Sequence, residues 1–537
     1  MEFPVYFLVA LVVCFLGRSL LQSRKRLPPS PWGLPLIGHL HHLSMLPHQS
    51  LQNLSRKLGG IMYLRLGMIP AIVISSPDLA KEALRSNDSS FGFRPYLLVG
   101  EYLTYNFKGI AFSNGDHWKN MRKICITELF SVKRMESFQG MRLAEVSHLV
   151  SRLAQASKSQ SVVNVRELVT DFNFNIVSQM LMSKRFSGNM NLGGEEIEEA
   201  RQLREVLQEL ARFTLKFHIS EFIPAWLRWI DWSIPHARKI VAKQEKFFEK
   251  IIQEHKSSQK SRPVMDFMDI LLQHQGDEEV AKATLVELLA AGTDTSACMT
   301  EWALLELLNN PEIMRKAQEE LDTVVGRDRM VTESDLHKLL YLEDIVKETF
   351  RFHPPAPLLA PRMSTQACVL GESFDIPKGA TTIINFYAIG RDPRVWDKPE
   401  KFWPERFQGS RIDVKGQDFE LIPFGSGRRI CPGMLLGLRS VYLTLANMIH
   451  GFNWEPVVCG GSYNMDEAFM SVIWPKLPLQ AKVTSIGYNF KGIALASGDH
   501  WKNMRRICNT KLFTVKCIDK AAHALGIRSP NLLVTRS

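Results

Sequence analysis

A cysteine set among glycines and arginines is the residue of this chain best equipped for chemistry. It lies in the run Phe424-Gly-Ser-Gly-Arg-Arg429-Ile-Cys431-Pro-Gly433, just ahead of an apolar stretch, Met434–Ile449, that reads as a helix. Glycines let the backbone turn tightly and approach a flat cofactor. A helix N-terminus with its backbone N–H groups favours a thiolate. Arg429 adds a planar, fork-shaped cation that suits a carboxylate. The plain alternative is a structural cysteine buried in a glycine-rich loop.

Three further patterns carry chemistry only in company. Ala291-Gly292-Thr293-Asp294-Thr295-Ser296 falls inside a helical stretch from about Val280 to Leu308. Gly292 and Thr295, three apart, share a face, where small residues leave room for a diatomic ligand and an acid–alcohol pair can pass protons. Alone, the same six residues fit a helix kink with a back-bonded threonine. Glu348 and Arg351 have the spacing of an ordinary helix pair, as do Glu198–Arg201, Glu209–Arg212 and Glu312–Arg315. Context separates them: Glu348 precedes the run HPPAP and stands 406 − 348 = 58 positions before Arg406 of Pro404-Glu-Arg-Phe407. Trp118 and Arg122 are one helical turn apart, a spacing also met on surface helices with one aromatic anchor.

The elements needed to position these residues are mostly helices. Apolar residues recur at three- and four-residue spacing from about Ser75 to Ser364. The run IMYLRLGMIPAIVISSP predicts two short strands around a turn, and strand-like stretches return near Val369–Ile376 and Thr381–Phe386. An irregular Pro/Gly-rich stretch then runs from Ile389 to Gly433. The expected fold is mainly α with small β-sheets (α+β), in one large domain.

Taken together, these motifs resemble those of the cytochrome P-450 superfamily. The phrasing LPPSPWGLPLIGHL, AGTDTSA, KETFRFHPPAPLLAPR and FGSGRRICPG is similar to plant A-type members, the isoflavone-hydroxylase-like group in particular. The resemblance implies haem b (iron protoporphyrin IX) with the Cys431 thiolate on its iron, donating electron density that favours O–O cleavage. Phe424 would pack near the cysteine, Arg429, Trp118, Arg122 and Arg362 would meet the haem propionates, and Arg94 is a further candidate. Asp294 and Thr295 would relay protons to dioxygen. Glu348, Arg351 and Arg406 would form a buried structural triad that holds the cysteine loop. The implied enzyme is a monooxygenase acting on an apolar plant secondary metabolite, a flavonoid or other phenolic or a terpenoid. NADPH electrons would arrive through NADPH–cytochrome P-450 reductase, steered by Lys119, Lys123, Arg428 and Arg439. The rival readings are a haem-thiolate isomerase or dehydratase of hydroperoxides, and a non-catalytic haem-binding protein. Neither needs the Asp294–Thr295 pair. Substrate walls are expected at Tyr96–Phe112, Arg212–Phe222, Pro355–Leu359 and Met465–Ile473.

Composition and the two ends agree with that picture. Of 537 residues, 45% are hydrophobic and 23% charged, ordinary for a globular chain. The net charge of +11 is concentrated late: from Ser485 onward nine Lys/Arg face two Asp/Glu, so this tail carries 9 − 2 = +7. No basic run interleaved with aromatics appears in the body, which argues against nucleic acid as a partner. The eight cysteines are scattered without a CxxC pair, which excludes a zinc ribbon or a disulfide scaffold. Residues 1–23 are nearly all apolar and precede Arg24-Lys25-Arg26, the pattern of a single transmembrane anchor with its following body in the cytosol, hence the endoplasmic reticulum membrane. A basic, Pro-rich hinge (24–38) and the catalytic domain (39–484) follow.

The tail, 485–537, departs from the family. Tyr488–Lys516 repeats Tyr105–Lys133 with 22 identities over 29 positions, at an offset of 488 − 105 = 383. One haem has no second slot for Trp501 and Arg505, the copies of Trp118 and Arg122, so the tail is expected to be peripheral. Truncation after Thr484 is predicted to leave haem content and turnover intact. Loss of soluble, haem-loaded protein from that truncation would refute it.

Overall fold

In the computed structural model, described for residues 26–186, 198–214, 216–258, 265–371, 373–457 and 463–486, a helical body carries a small sheet at one side. The expected anchor over 1–23 and the repeat at 488–516 lie outside the described residues. Among the described residues, no helix is long and apolar enough to cross a membrane.

The organising element is the 32-residue helix Glu278–Asn309. Asp277 caps it by accepting the Glu279 N–H at 2.9 Å, and Glu278 and Glu279 place negative charge in its first turn. It is buried around most of its circumference, as expected for a helix apolar on all sides. It packs against Val165–Met182 and Met434–Gly451, both also heavily buried. Asn310 and Pro311 end it and start the next helix, Pro311–Val324.

The main sheet has four strands in the order Ile61–Leu66, Ile69–Ile74, Thr381–Ile384 and Arg362–Met363. The first two form the expected hairpin, turning at Gly67 and Met68. The third joins in parallel and the fourth antiparallel. The expected strand over Thr381–Phe386 stops at Ile384, because the Asn385 side chain caps a short helix, Phe386–Ile389. The hinge is not a free spacer. The Tyr63 N–H donates to the Pro29 carbonyl at 2.9 Å, and Gly38 bridges Leu66, so residues 26–38 dock along this sheet. At the other end, the strand Gln480–Ser485 pairs with Phe452–Pro456 past the expected boundary at 484, and the Ile486 N–H reaches the Gly451 carbonyl at 3.0 Å.

Glu348, Arg351 and Arg406 do meet. Arg351 donates to the Glu348 carboxylate at 2.7 and 2.8 Å, and Arg406 does so at 3.1 Å. Both Glu348 and Arg351 are fully buried. Arg351 also donates to the carbonyls of Gly390, Pro399 and Lys401, and Arg406 to those of Asp397, Lys398 and Lys401. The triad therefore clamps the irregular stretch 390–406 onto the helix Leu340–Phe352, and meets the cysteine loop through that helix, whose Phe350 ring lies 5.1 Å from Phe424. Glu348→Ala would leave two guanidinium groups without a counter-charge. The predicted cost is about 3–5 kcal/mol of unfolding free energy. Urea titration of the variant measures it, and a change within ~0.5 kcal/mol would show the triad to be unimportant.

Candidate functional site

The cysteine loop is shaped by two constraints. Gly427 sits at φ +69°, and a Cβ there would lie 2.2 Å from the Leu84 carbonyl oxygen, so only glycine fits. The Cys431 N–H donates to the Phe424 carbonyl at 2.9 Å, which closes the loop and sets the Phe424 ring beside it. Gly433 then starts the helix Met434–Gly451. Burial pushes the Cys431 thiol up, while the Gly433 backbone N–H and the Arg122 charge pull it down. Left to this environment the thiol holds its proton. A cation at the sulfur would reverse that.

Above the loop lies a cavity of about 350 Å³, whose walls include Cys431, Phe424, Arg429, Trp118, Arg122 and Arg362. The same walls include Gly292 and Thr295 of the long helix, so residues from four parts of the sequence converge here. Arg94 also lines it. The arginines are held by carbonyls. Arg429 donates to Gly92 O at 2.9 Å, to Ser113 O at 2.8 Å and to Asn114 Oδ1 at 3.0 Å, with its guanidinium 3.9 Å from the Trp118 ring centre. Arg94 donates to Ala111, Ala360 and Pro361 carbonyls. Arg362 donates to Ser426 O at 2.6 Å and pairs with Asp88 at 3.3 Å. Arg122 stands 5.8 Å from the Trp118 ring centre.

Four cations share this wall, and little negative charge answers them. Burial first, then mutual repulsion, pushes Arg94 and Arg429 down to about 9. Burial pushes Arg362 down to about 10, against the pull of Asp88, and lowers Arg122 as well. A guanidinium does not give up its proton in a protein, so the depression expresses an unmet demand for an anion. Arg429 Nη1 is buried without any partner. A flat group with two carboxylates, lying between this wall and the cysteine, fits that demand.

The relay pair is arranged differently from the expectation of a linked acid and alcohol. Thr295 lines the cavity, and its hydroxyl donates back to the Ala291 carbonyl at 2.7 Å. Asp294 is not among the cavity walls. Its half-buried carboxyl, raised by desolvation, receives the Ser471 hydroxyl. A Cβ at Gly292 would meet Val177 at 2.8 Å, so its smallness also lets two helices close. The expected walls hold in part. Ile110, Ala111, Pro355, Ala356 and Leu359 line the cavity, whereas no residue of Arg212–Phe222 or Met465–Ile473 does. The Ile473 N–H instead donates to the Pro355 carbonyl at 3.1 Å, bracing that wall from behind. Val177, Met180 and Leu181 take the vacant side.

The family model for cytochrome P-450 matches residues 28–483. The chain belongs to the cytochrome P-450 family. A phenylacetaldehyde oxime monooxygenase of Prunus mume is 38% identical over 89% of this chain and 93% of its own. A flavonoid 3'-monooxygenase of Petunia hybrida is 38% identical over 87% and 95% respectively. A zebrafish cytochrome P-450 solved with abiraterone shares the fold, with a TM-score of 0.68 at 24% identity over 82% of this chain and all of that one. Family and relatives together make this cytochrome P-450 a monooxygenase, of the haem-thiolate kind.

One acidic wall residue was not anticipated. Glu287, fully enclosed, accepts the Ile110 and Ala111 N–H groups at 2.6 and 2.7 Å. Its signal was an acid alone in the apolar turn Leu285–Ala290. Burial raises it from 4.5 to about 7. The folded chain thus keeps this proton to higher pH than the unfolded one. The stability it confers is full below about pH 4.5 and lost as pH rises through about 7, on the order of 3 kcal/mol in all. Glu287→Gln should flatten that slope in urea titrations at about pH 5 and about pH 8. Parallel pH profiles for the two proteins would contradict this assignment.

Proposed function

We propose that this cytochrome P-450 is an endoplasmic-reticulum-anchored hydroxylase of an apolar plant secondary metabolite, a flavonoid or other phenolic or a terpenoid. It inserts one atom of O2 using NADPH electrons delivered by NADPH–cytochrome P-450 reductase. The observation that carries the reading is the single cavity bounded by the Cys431 sulfur and by an arginine wall with an unpartnered buried donor. Relatives that act on flavonoids and on an aromatic aldoxime support the substrate class.

In this reading haem b, when bound, supplies the oxygen-activating redox chemistry. Cys431 would hold its iron through the sulfur, and Arg429, Trp118, Arg122, Arg362 and Arg94 would hold its carboxylates. Phe424 packs beside the sulfur and limits water at it. Thr295, its own proton committed to Ala291, presents oxygen lone pairs that hold an incoming proton in line with the cavity. Asp294 stores the next proton at its carboxyl, with Ser471 as its hydrogen-bond partner.

Residues 1–23 form the anchor, 24–38 the hinge and 39–484 the catalytic body, whose last strand runs on to Ser485, with the tail beyond Ile486 peripheral to it. Support for a membrane-facing corner comes from exposed Trp226, Trp229 and Trp232, together with Leu36 and Phe217. These sit where the hinge docks: the Gly67 N–H donates to the Ile37 carbonyl and the Met68 N–H to that of Phe222. Interfacial tryptophans beside an anchor are the usual way a body rests on a bilayer. On the surface proposed for the reductase, Lys119 pairs with Asp116, Arg428 with Asp88 and Arg439 with Glu333. Those partners temper the positive field without cancelling the exposed Lys123.

The purified, reduced protein is expected to show the strongly red-shifted carbon monoxide band of a thiolate-bound haem, and to turn over only with NADPH and reductase. Cys431→Ala should abolish both. A band that survives the substitution, or turnover that needs no NADPH, would overturn the proposal.

A further inference from the structure

Asp294 is held by a contact from outside its own helix. Its Oδ2 accepts the hydroxyl of Ser471, at the tip of the hairpin formed by Glu467–Phe469 and Ile473–Pro475. Among the described residues that hydroxyl is its only hydrogen-bond partner, and no cation pairs with the carboxylate.

The hairpin is fastened to the long helix through its backbone. The Ile473 carbonyl accepts the Trp302 indole N–H at 2.8 Å and the Cys298 thiol at 3.1 Å. The Ile473 N–H donates to the Pro355 carbonyl at 3.1 Å. Asp294, Cys298 and Trp302 follow at four-residue spacing and so form one stripe along the helix. Main-chain bonds at Ile473 therefore place the hairpin tip over Asp294 without help from the Ser471 side chain. The turn does not need that side chain either, since the Met470 N–H closes it on the Val472 carbonyl at 2.9 Å. What the serine adds is its hydroxyl, and the hydroxyl goes to the acid.

Exposure gives the contact a direction. Ser471 is exposed, Asp294 is half-buried, and the next residue, Thr295, lines the cavity. A hydroxyl donates to a carboxylate while accepting from water, which an alanine cannot do. In the proposed function, on which this inference rests, one atom of O2 enters a substrate C–H bond and the other leaves as water. Each product thus consumes a pair of electrons and a pair of protons. The reductase brings the electrons, and the protons come from the solvent. A hydrogen bond to an ionised carboxylate is stronger than one to the neutral acid, so protonation loosens the grip of Ser471.

We propose that Ser471 is a positioning residue for Asp294: its hydroxyl holds the ionised carboxylate on the solvent side of the long helix, where water loads it with a proton, and releases the neutral acid to pass that proton inward past Thr295.

The test uses the full-length holoenzyme with reductase and NADPH and no added substrate, where the measured reaction is O2 + NADPH + H+ → H2O2 + NADP+. Its rate is compared in H2O and in D2O. Ser471→Ala should slow it about tenfold, the loss expected of a hydrogen bond to a charged group, and enlarge the solvent isotope effect. Asp294→Asn should do both at least as strongly. Ser471→Thr restores the hydroxyl and should recover the wild-type rate and isotope effect. Apart from turnover, the infrared carboxylate band of Asp294, identified by its loss in Asp294→Asn, should move in Ser471→Ala and hold in Ser471→Thr. A Ser471→Ala enzyme that matches wild type while Asp294→Asn falls would overturn the assignment and leave the contact as a strut. A band that does not move, or a threonine that does not rescue, would overturn it as well. An Asp294→Asn enzyme that matches wild type would remove the role given to Asp294 itself, a different failure, and the proposal with it.

Discussion

The architecture answers to one electrostatic constraint: four guanidinium groups face a single enclosed space. Arg94 and Arg122 come from the first quarter of the chain, Arg362 from the edge strand of the sheet, and Arg429 from the cysteine loop. Their hydrogen bonds go mostly to carbonyl oxygens, which orient a guanidinium without neutralising it. Such a wall is costly unless an anion completes it, so folding and cofactor binding are linked here. Carbonyl partners also make the wall sensitive to backbone placement. Asn114 shows this, since its side chain receives both the Arg94 N–H and the Arg429 guanidinium.

That sensitivity explains the amount of bracing around the loops that supply those carbonyls. The loop leading to Asn114 carries three successive left-handed residues, Tyr105, Asn106 and Phe107. Such a run holds its shape only when its surroundings over-determine it. Tyr105 bonds Glu245, Lys108 reaches Asp277 and Glu279, and Glu287 gathers the next N–H groups. Each partner stands on one of two helices, Ile234–Ser258 and Glu278–Asn309, or at the N-cap of the second. The triad at Glu348 performs the corresponding service for residues 390–406, on the opposite approach to the cysteine.

What could be read from the sequence follows the range of each interaction. The cysteine loop was legible because Phe424, Gly427, Arg429 and Cys431 act within one short segment, and the hairpin because its pattern and turn are local. The family resemblance made Arg94, Trp118, Arg122 and Arg362 recognisable although they are far apart. Glu287 was not anticipated, since its partners lie 177 and 176 positions away and an isolated acid on a helix is usually solvated. The pairing of Asp294 with Ser471, again 177 positions apart, is equally invisible to local pattern. The walls from Val165–Met182 were missed because a helix buried on nearly every side carries no stripe to show which face meets a cavity. Met465–Ile473 was expected in the wall and stands behind it, because sequence order does not distinguish a lining residue from the one that supports it.

The long helix reconciles these demands because a single rigid rod sets several distances at once. Thr295 and Glu287 are eight residues apart, which at 1.5 Å per residue is roughly 12 Å along the axis. Over that span the helix passes from the part of the cavity lined by Thr295 to the loop that Glu287 holds. A shift that moved Thr295 relative to the sulfur would therefore also move Glu287 under Ile110 and Ala111, and through that loop Asn114 and the arginine wall. Both positions are thus fixed by the same backbone hydrogen bonds. Gly292, in contact with Val177, sits between them, where a larger side chain would lever the rod away from its neighbour.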